Sequence, residues 1–483
     1  MPNNHQTTLE QTSAVASLLR QHRPGAERLR VLSASGQLGF GIVQESFERG
    51  LQRKPHFIGC DMGSIDPGPF YLGSGQMAAP KDMVRRDLEM VLLGARQLNV
   101  PLIIGSAGTA GAKPQLEATL ALLREIAEAH GLSFSVATIS SDVPRHTLVK
   151  AIQQGHLKAL DPAGPSRVMP IPDENQIHSA ANIVAQCGTH TFMQALAQNP
   201  DVLIAGRACD TAIFAALPQM LGYDPALSLH MAKIIECTSL CCTPGGRDAI
   251  LAELGVSDFI LESMNPKSHA TPSSVAAHAL YEQADPWVVE EPEGTLHLKQ
   301  AKYVAVDAHR TQVSGAQFVA RPSVTLKVEG AVHVGARAVL LAGVADPSMI
   351  DMMPSALKEV TQRVQALVPG NWSMVPHLYG QGAVRELPQA HRSLHEIGLV
   401  LEFLAPTSNL AKTAASVFKQ NLLHYGFAGR LTTGGNLAFA FTPSEIEANE
   451  CYQFMLYHLL EGVSPEEVFG IDMQTWQFEE VAA

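Results

Sequence analysis

Four apolar runs in the first 210 residues each stop on small, polar or acidic residues, and this repeated pattern constrains the fold more than any other feature. The runs are residues 29–40 (LRVLSASGQLGF), 55–68 (PHFIGCDMGSIDPG), 101–111 (PLIIGSAGTAG) and 201–214 (DVLIAGRACDTAIF). Two of them contain unbroken apolar stretches, Leu102 to Ile104 and Val202 to Ala205, as strands buried on both faces of a parallel sheet require. Helical apolar spacing follows at residues 41–51, 81–98 and 114–130, the last ending on Gly131 as a C-cap. Alternating strand and helix predicts a doubly wound parallel α/β domain over residues 28–265, after an N-terminal extension at 1–27.

The pattern changes after Pro266. Short Val- and Thr-rich segments with Gly315 and Gly330 between them predict an antiparallel β section over residues 266–335. Residues 336–483 then read as strand 337–344, helix 348–367, strands 372–379 and 397–404, helix 408–424 and strand 436–441. That is the βαββαβ order of a ferredoxin-like α+β domain, with a last helix at 443–461. A chain of 483 residues suits this division, because one hydrophobic core rarely grows past roughly 250–300 residues.

The net charge of −12 argues against nucleic acid as a partner, since phosphate-backbone binding needs clustered Lys and Arg. No apolar run approaches the ~20 residues of a membrane span, and the N-terminus lacks a secretory pattern. Seven cysteines without paired spacing fit reduced thiols in the cytoplasm; Cys237, Cys241 and Cys242 have no CxxC or nearby His to complete a zinc site.

In a parallel sheet, ligands bind beyond the carboxyl ends of the strands, which places the candidate residues. In SASGQLGFG, Ser35, Gly36 and Gly39 precede a helix whose N-terminus suits an anion, with a structural tight turn as the alternative. The spacing is not the GxGxxG of a dinucleotide fold. In GSAGTAG, Gly105, Ser106 and Gly108 form a second such turn, without the Lys of a phosphate loop. In CDMGSIDPG, Asp61 and Asp66 can act as acid or base or hold Mg²⁺; as an alternative, they are turn formers. In GRACDTA, Arg207 clamps a substrate carboxylate or pairs internally with Asp210 or Asp61. Cys209 has no nearby His to activate it. His377, Tyr379, His424, Tyr425, Arg430 and Asn436 lie in Gly-rich stretches of the later domain, where capping or packing is the commoner role.

The same runs, together with MNPKSHATPSSVAAHALYEQADP at 264–286 and NLLHYGFAGRLTTGGNLAFAFTPSEIE at 421–447, resemble the acyclic terpene utilisation family over most of residues 28–465. The resemblance implies a role in the breakdown of citronellol and geraniol through acyl-CoA intermediates, and a small α/β companion expected as a separate subunit. It carries no catalytic residue with a role attached. The chain is thus expected to be a lyase or hydro-lyase acting on a small carboxylate or acyl-CoA, with Asp61, Asp66, Arg207 and Asp210 as the reacting set. No NAD, flavin or Fe–S group is expected, and a homo-oligomer is. The competing reading is a non-catalytic ligand-binding or scaffold subunit, and a CoA transferase or thioester hydrolase stands third.

Overall fold

A computed structural model describes residues 13–160, 169–281, 283–384, 394–430 and 434–479. They divide into two compact units, one comprising the chain up to residue 331 and again from 454, the other residues 332–453.

Side-chain alternation along the strands builds the first unit. Val31, Phe57, Ile103 and Leu203 enter one apolar core, while their neighbours Leu32, Ile58, Ile104 and Ile204 enter another, because successive side chains of a strand face opposite ways. The strands Leu29–Ser35, Phe57–Asp61, Leu102–Gly105, Val202–Ala205 and Phe134–Ser140 lie side by side in that order, and all are parallel. Helices Lys81–Leu98 and Lys113–Ala129 supply Val84, Leu88, Leu122 and Ile126 to the core on one face. Helices Asp210–Met220 and Pro225–Ile235 supply Phe214, Leu217 and Ile234 to the other. Burial on both faces explains why these short strands carry continuous apolar runs.

Antiparallel strands extend the sheet at both edges. Ile250–Leu254, Phe259–Ser263, Arg310–Ser314 and Lys302–Ala305 add beyond Leu29–Ser35, and Gly470–Trp476 adds beyond Phe134–Ser140. The sheet is therefore ten-stranded and mixed. Strands Val288–Glu291, Gly294–His297 and Gln317–Ala320 form a separate antiparallel sheet. The segment expected as one β section thus divides among three sheets, because its last residues begin strand Leu326–Val344 of a third.

The second unit takes the later part of strand Leu326–Val344, helix Pro347–Leu367, strands Ser373–Tyr379 and Ile397–Ala405, helix Ser408–Leu423 and the first part of strand Glu445–Leu460. In the sheet, Ser373–Tyr379 neighbours Ile397–Ala405, then Leu326–Val344, then Glu445–Leu460. Leu340, Met353, Val360, Phe403 and Phe418 fill its core. One expectation is corrected here: residues 443–461 form a strand, not a helix. Its second half buries Leu456, His458 and Leu460 with period two, which only a strand satisfies. The strand expected at 436–441 is reduced to a bridge between Gly343 and Ala438. Among the described residues no helix is long and apolar enough to cross a membrane. Residues 1–12, 385–386 and 431–433, which carry parts of the sequence reading, lie outside the described residues.

Candidate functional site

All five parallel strands end at the same edge of the first unit, and the candidate turns gather there. Ser106 follows its strand directly, Arg207 comes one residue after the end of its own, beyond Gly206, and Asp61 is the last residue of its strand. Two turns meet closely at this edge. The Arg207 amide donates to the Gly111 carbonyl at 3.2 Å, and a Cβ on Gly111, whose φ is +67°, would lie 2.0 Å from the Arg207 nitrogen. Only glycine permits that approach.

Arg207 is buried, so its charge needs partners. The main one is Glu329, a wholly buried carboxylate on strand Leu326–Val344, which accepts from Arg207 Nε at 2.9 Å. Glu329 also accepts from Gln186 Nε2 at 3.0 Å and pairs with Lys327 Nζ at 3.2 Å. Burial opposes its ionisation, but Arg207 and Lys327 outweigh this and hold it below the usual carboxylate range. Arg207 Nη1 donates to Ser106 Oγ at 3.2 Å and lies 3.9 Å from Asp210. Internal pairing therefore prevails, but chiefly through Glu329, with the expected Asp210 a longer contact. Among the described residues Nη2 has no partner, which leaves one edge of the guanidinium for an anion.

Asp61 is buried on the other side of Ser106. One oxygen accepts from the Gly63 amide at 3.1 Å, while Oδ1 is buried without a partner. Burial, and next the charge of Asp210, push the Asp61 carboxyl well above its ordinary range against the pull of Arg207 and the Gly63 amide. Asp210 begins helix Asp210–Met220 with 39 % of its side chain exposed. Burial raises the Asp210 carboxyl too, but Arg207, Lys233 and Lys327 offset part of the rise, so Asp210 is the member of the pair that ionises first. Two carboxyls with environments this different are the arrangement that assigns one group as acid and the other as base.

Asp66 is exposed, and its charge adds to the upward shift of Asp210. The two glycine turns also differ from the expectation of free N–H groups. Those of Gly39, Gly41 and Ile42 all donate to the buried Asp87 carboxylate, at 2.9, 2.9 and 3.1 Å. In the second turn Ala107, Thr109 and Gly111 donate to backbone carbonyls, and Gly108 lies against Met62 sulfur at 3.4 Å. Gly39 and Gly108 are thus structural. Gly105 makes room, since a Cβ there would meet Ile213 at 2.3 Å. Ser35 and Gly36 line a separate cavity.

Sequence reasoning missed several groups behind Asp210. Glu291 accepts from Thr211 Oγ1 at 2.8 Å and from Cys209 sulfur at 3.3 Å, and burial raises it to about 7. Lys233 and Glu236 form a buried pair at 2.7 Å, in which burial lifts Glu236 to about 8. Burial, then Glu291, drive the Cys209 thiol far up, which keeps it from being a thiolate nucleophile. In the second unit Tyr425 donates to Glu359 at 2.7 Å and Asn436 Nδ2 to the Leu422 and Tyr425 carbonyls at 3.1 and 2.8 Å, both packing roles.

Among the described residues, the one group of three side chains spaced for a cation is His22, Glu27 and His56, near the opposite ends of the strands. There His56 Nδ1 accepts the Arg30 amide at 2.9 Å and Arg30 Nη2 lies 3.2 Å from Nε2. His56 Nε2 faces Glu27 at 3.4 Å, and His22 Nδ1, buried without a hydrogen-bond partner, lies 3.9 Å from the same carboxylate.

A family described as acyclic terpene utilisation family protein AtuA matches residues 81–246 and 258–453. No curated protein and no solved structure matches the chain.

Proposed function

The chain belongs to the acyclic terpene utilisation family, and from that membership and the strand-end carboxyls we propose an acid–base enzyme of acyclic terpene catabolism. Its reaction is a lyase or hydro-lyase step on a small carboxylate or acyl-CoA. The observation that carries this reading is Asp61 Oδ1, buried without a partner beside the half-buried Asp210. Asp61, the more strongly raised of the two, donates a proton; Asp210, the more accessible and the first to ionise, takes one. Arg207 Nη2, steadied by Glu329 and Ser106, holds the substrate anion. Acid–base help of this kind is worth ~10²–10⁴ in rate. Asp66, exposed nearby, retains the option of a Mg²⁺ ligand only if a chelator lowers turnover.

A scaffold role is the second reading, favoured by the internal use of both glycine turns. Ferredoxin-like topology of the second unit, a homo-oligomer and a separate small α/β subunit belong to the same proposal. The test is a panel of carboxylates and acyl-CoAs offered to the parent, Asp61→Asn and Arg207→Gln. Asp61→Asn should bind the substrate and lose turnover, and Arg207→Gln should lose binding. Full turnover by Asp61→Asn would remove the acid–base reading, and no turnover by the parent would favour the scaffold.

A further inference from the structure

The cavity that takes in Ser35 and Gly36 has a chemistry of its own. It lies between the turn after strand Leu29–Ser35 and the segment after helix Pro225–Ile235, and it measures about 280 Å³. Gln37, Cys237, Thr238, Leu240 and Arg247 also line it, with two further glycines. The two segments touch closely, because a Cβ on Gly36 would lie 2.6 Å from the Glu236 carbonyl oxygen. Thr238 is held at φ +56°, a genuine outlier for a β-branched residue.

Two features point to the occupant. Arg247 is exposed, and among the described residues its guanidinium has no partner, while the adjacent Asp248 turns to Asn265 at 3.0 Å. Leu240 is 53 % exposed, and Phe40, in the turn that lines the opposite side, is 43 % exposed. An unpaired cation beside accessible apolar side chains matches a ligand with one anionic head and an aliphatic tail.

We propose that this cavity is a binding site for an amphipathic aliphatic anion, its head on Arg247 and its chain against Leu240 and Cys237. The claim stands on the cavity and not on the acid–base reading at Asp61, so either can fail alone. Arg247 removes no internal contact when replaced, and Leu240 is at the rim, so both variants should keep the parent's melting midpoint.

The test is calorimetric titration of the full chain with octanoate, octyl phosphate, acetate and 1-octanol. Octanoate or octyl phosphate should bind, and whichever is tighter assigns the head group. Acetate and 1-octanol should bind at least about tenfold more weakly. Arg247→Gln should weaken the anion by about ten- to a hundredfold, the range for a hydrogen bond to a charged group, while leaving 1-octanol unchanged. Leu240→Trp should weaken both. Asp61→Asn should bind octanoate like the parent. No binding of either anion, or binding untouched by both Arg247→Gln and Leu240→Trp, would overturn the proposal.

Discussion

Glu329→Gln isolates the electrostatic support of the site. Glu329 is wholly buried and accepts from Arg207 Nε at 2.9 Å, Gln186 Nε2 at 3.0 Å and Lys327 Nζ at 3.2 Å. The glutamine keeps the shape and one carbonyl acceptor but removes the charge that balances a buried guanidinium. Breaking a buried ion pair from one side costs about 3–5 kcal/mol, and this carboxylate balances two cations, so the upper half of that range is expected. Hydrogen exchange resolved over residues 202–214 and 326–331 would read the opening free energy locally, without assuming that both units unfold together. Replacing Arg207 and Glu329 both by methionine should recover part of the loss, because the buried guanidinium is then gone and only the partly exposed Lys327 loses its carboxylate, while substrate binding stays absent. The pH dependence follows the same pair. Glu329 is held below its ordinary value of 4.5, so its contribution is fully present above that value and fades as pH falls through the lower folded value. Exchange in Glu329→Gln within about 0.5 kcal/mol of the parent, the usual spread of neutral surface changes, would refute the reasoning.

Other outcomes follow from the same residues. Asp61→Asn should lower turnover by ~10²-fold or more without lowering the melting midpoint, since a carboxyl whose ionisation is opposed loses nothing by becoming neutral; a large drop in midpoint would contradict the neutral assignment. Glu291 and Glu236, raised by burial to about 7 and about 8, bind more protons folded than unfolded above pH 4.5, so stability should fall between about pH 5 and 8, and Glu291→Gln should flatten that slope in thermal scans. Gly111→Ala, which sets a Cβ 2.0 Å from the Arg207 nitrogen at positive φ, should destabilise the first unit by more than about 2 kcal/mol; a well-folded variant with unchanged urea midpoint would contradict the close approach.

The parallel strands were legible because burial on both faces leaves a local mark, the unbroken runs at Leu102 to Ile104 and Val202 to Ala205. Their ends, and so Asp61, Ser106, Arg207 and Asp210, followed from the same signal. Membership of the antiparallel strands was not legible, since nothing in residues 302–314 says which sheet edge they join. Residues 445–460 misled because Glu, Ala, Met and Leu are good helix formers, yet sheet pairing outweighed propensity. Glu329 was out of reach for another reason: it stands 122 residues from Arg207, inside a strand whose local pattern gives no sign of an ion pair. The turns after Ser35 and Gly105 look open in sequence, but the buried Asp87 and neighbouring carbonyls take their N–H groups, and only packing reveals that.

Solvent exchange reads proton transfer at Asp61 and Asp210 without knowledge of the product. Carboxylates and acyl-CoAs would be incubated with the parent and with Asp61→Asn in D₂O and followed by NMR. Deuterium should enter a carbon position of at least one substrate, or the elements of D₂O be added or removed, with the parent and not with Asp61→Asn. Equal exchange by both proteins would contradict proton transfer at Asp61.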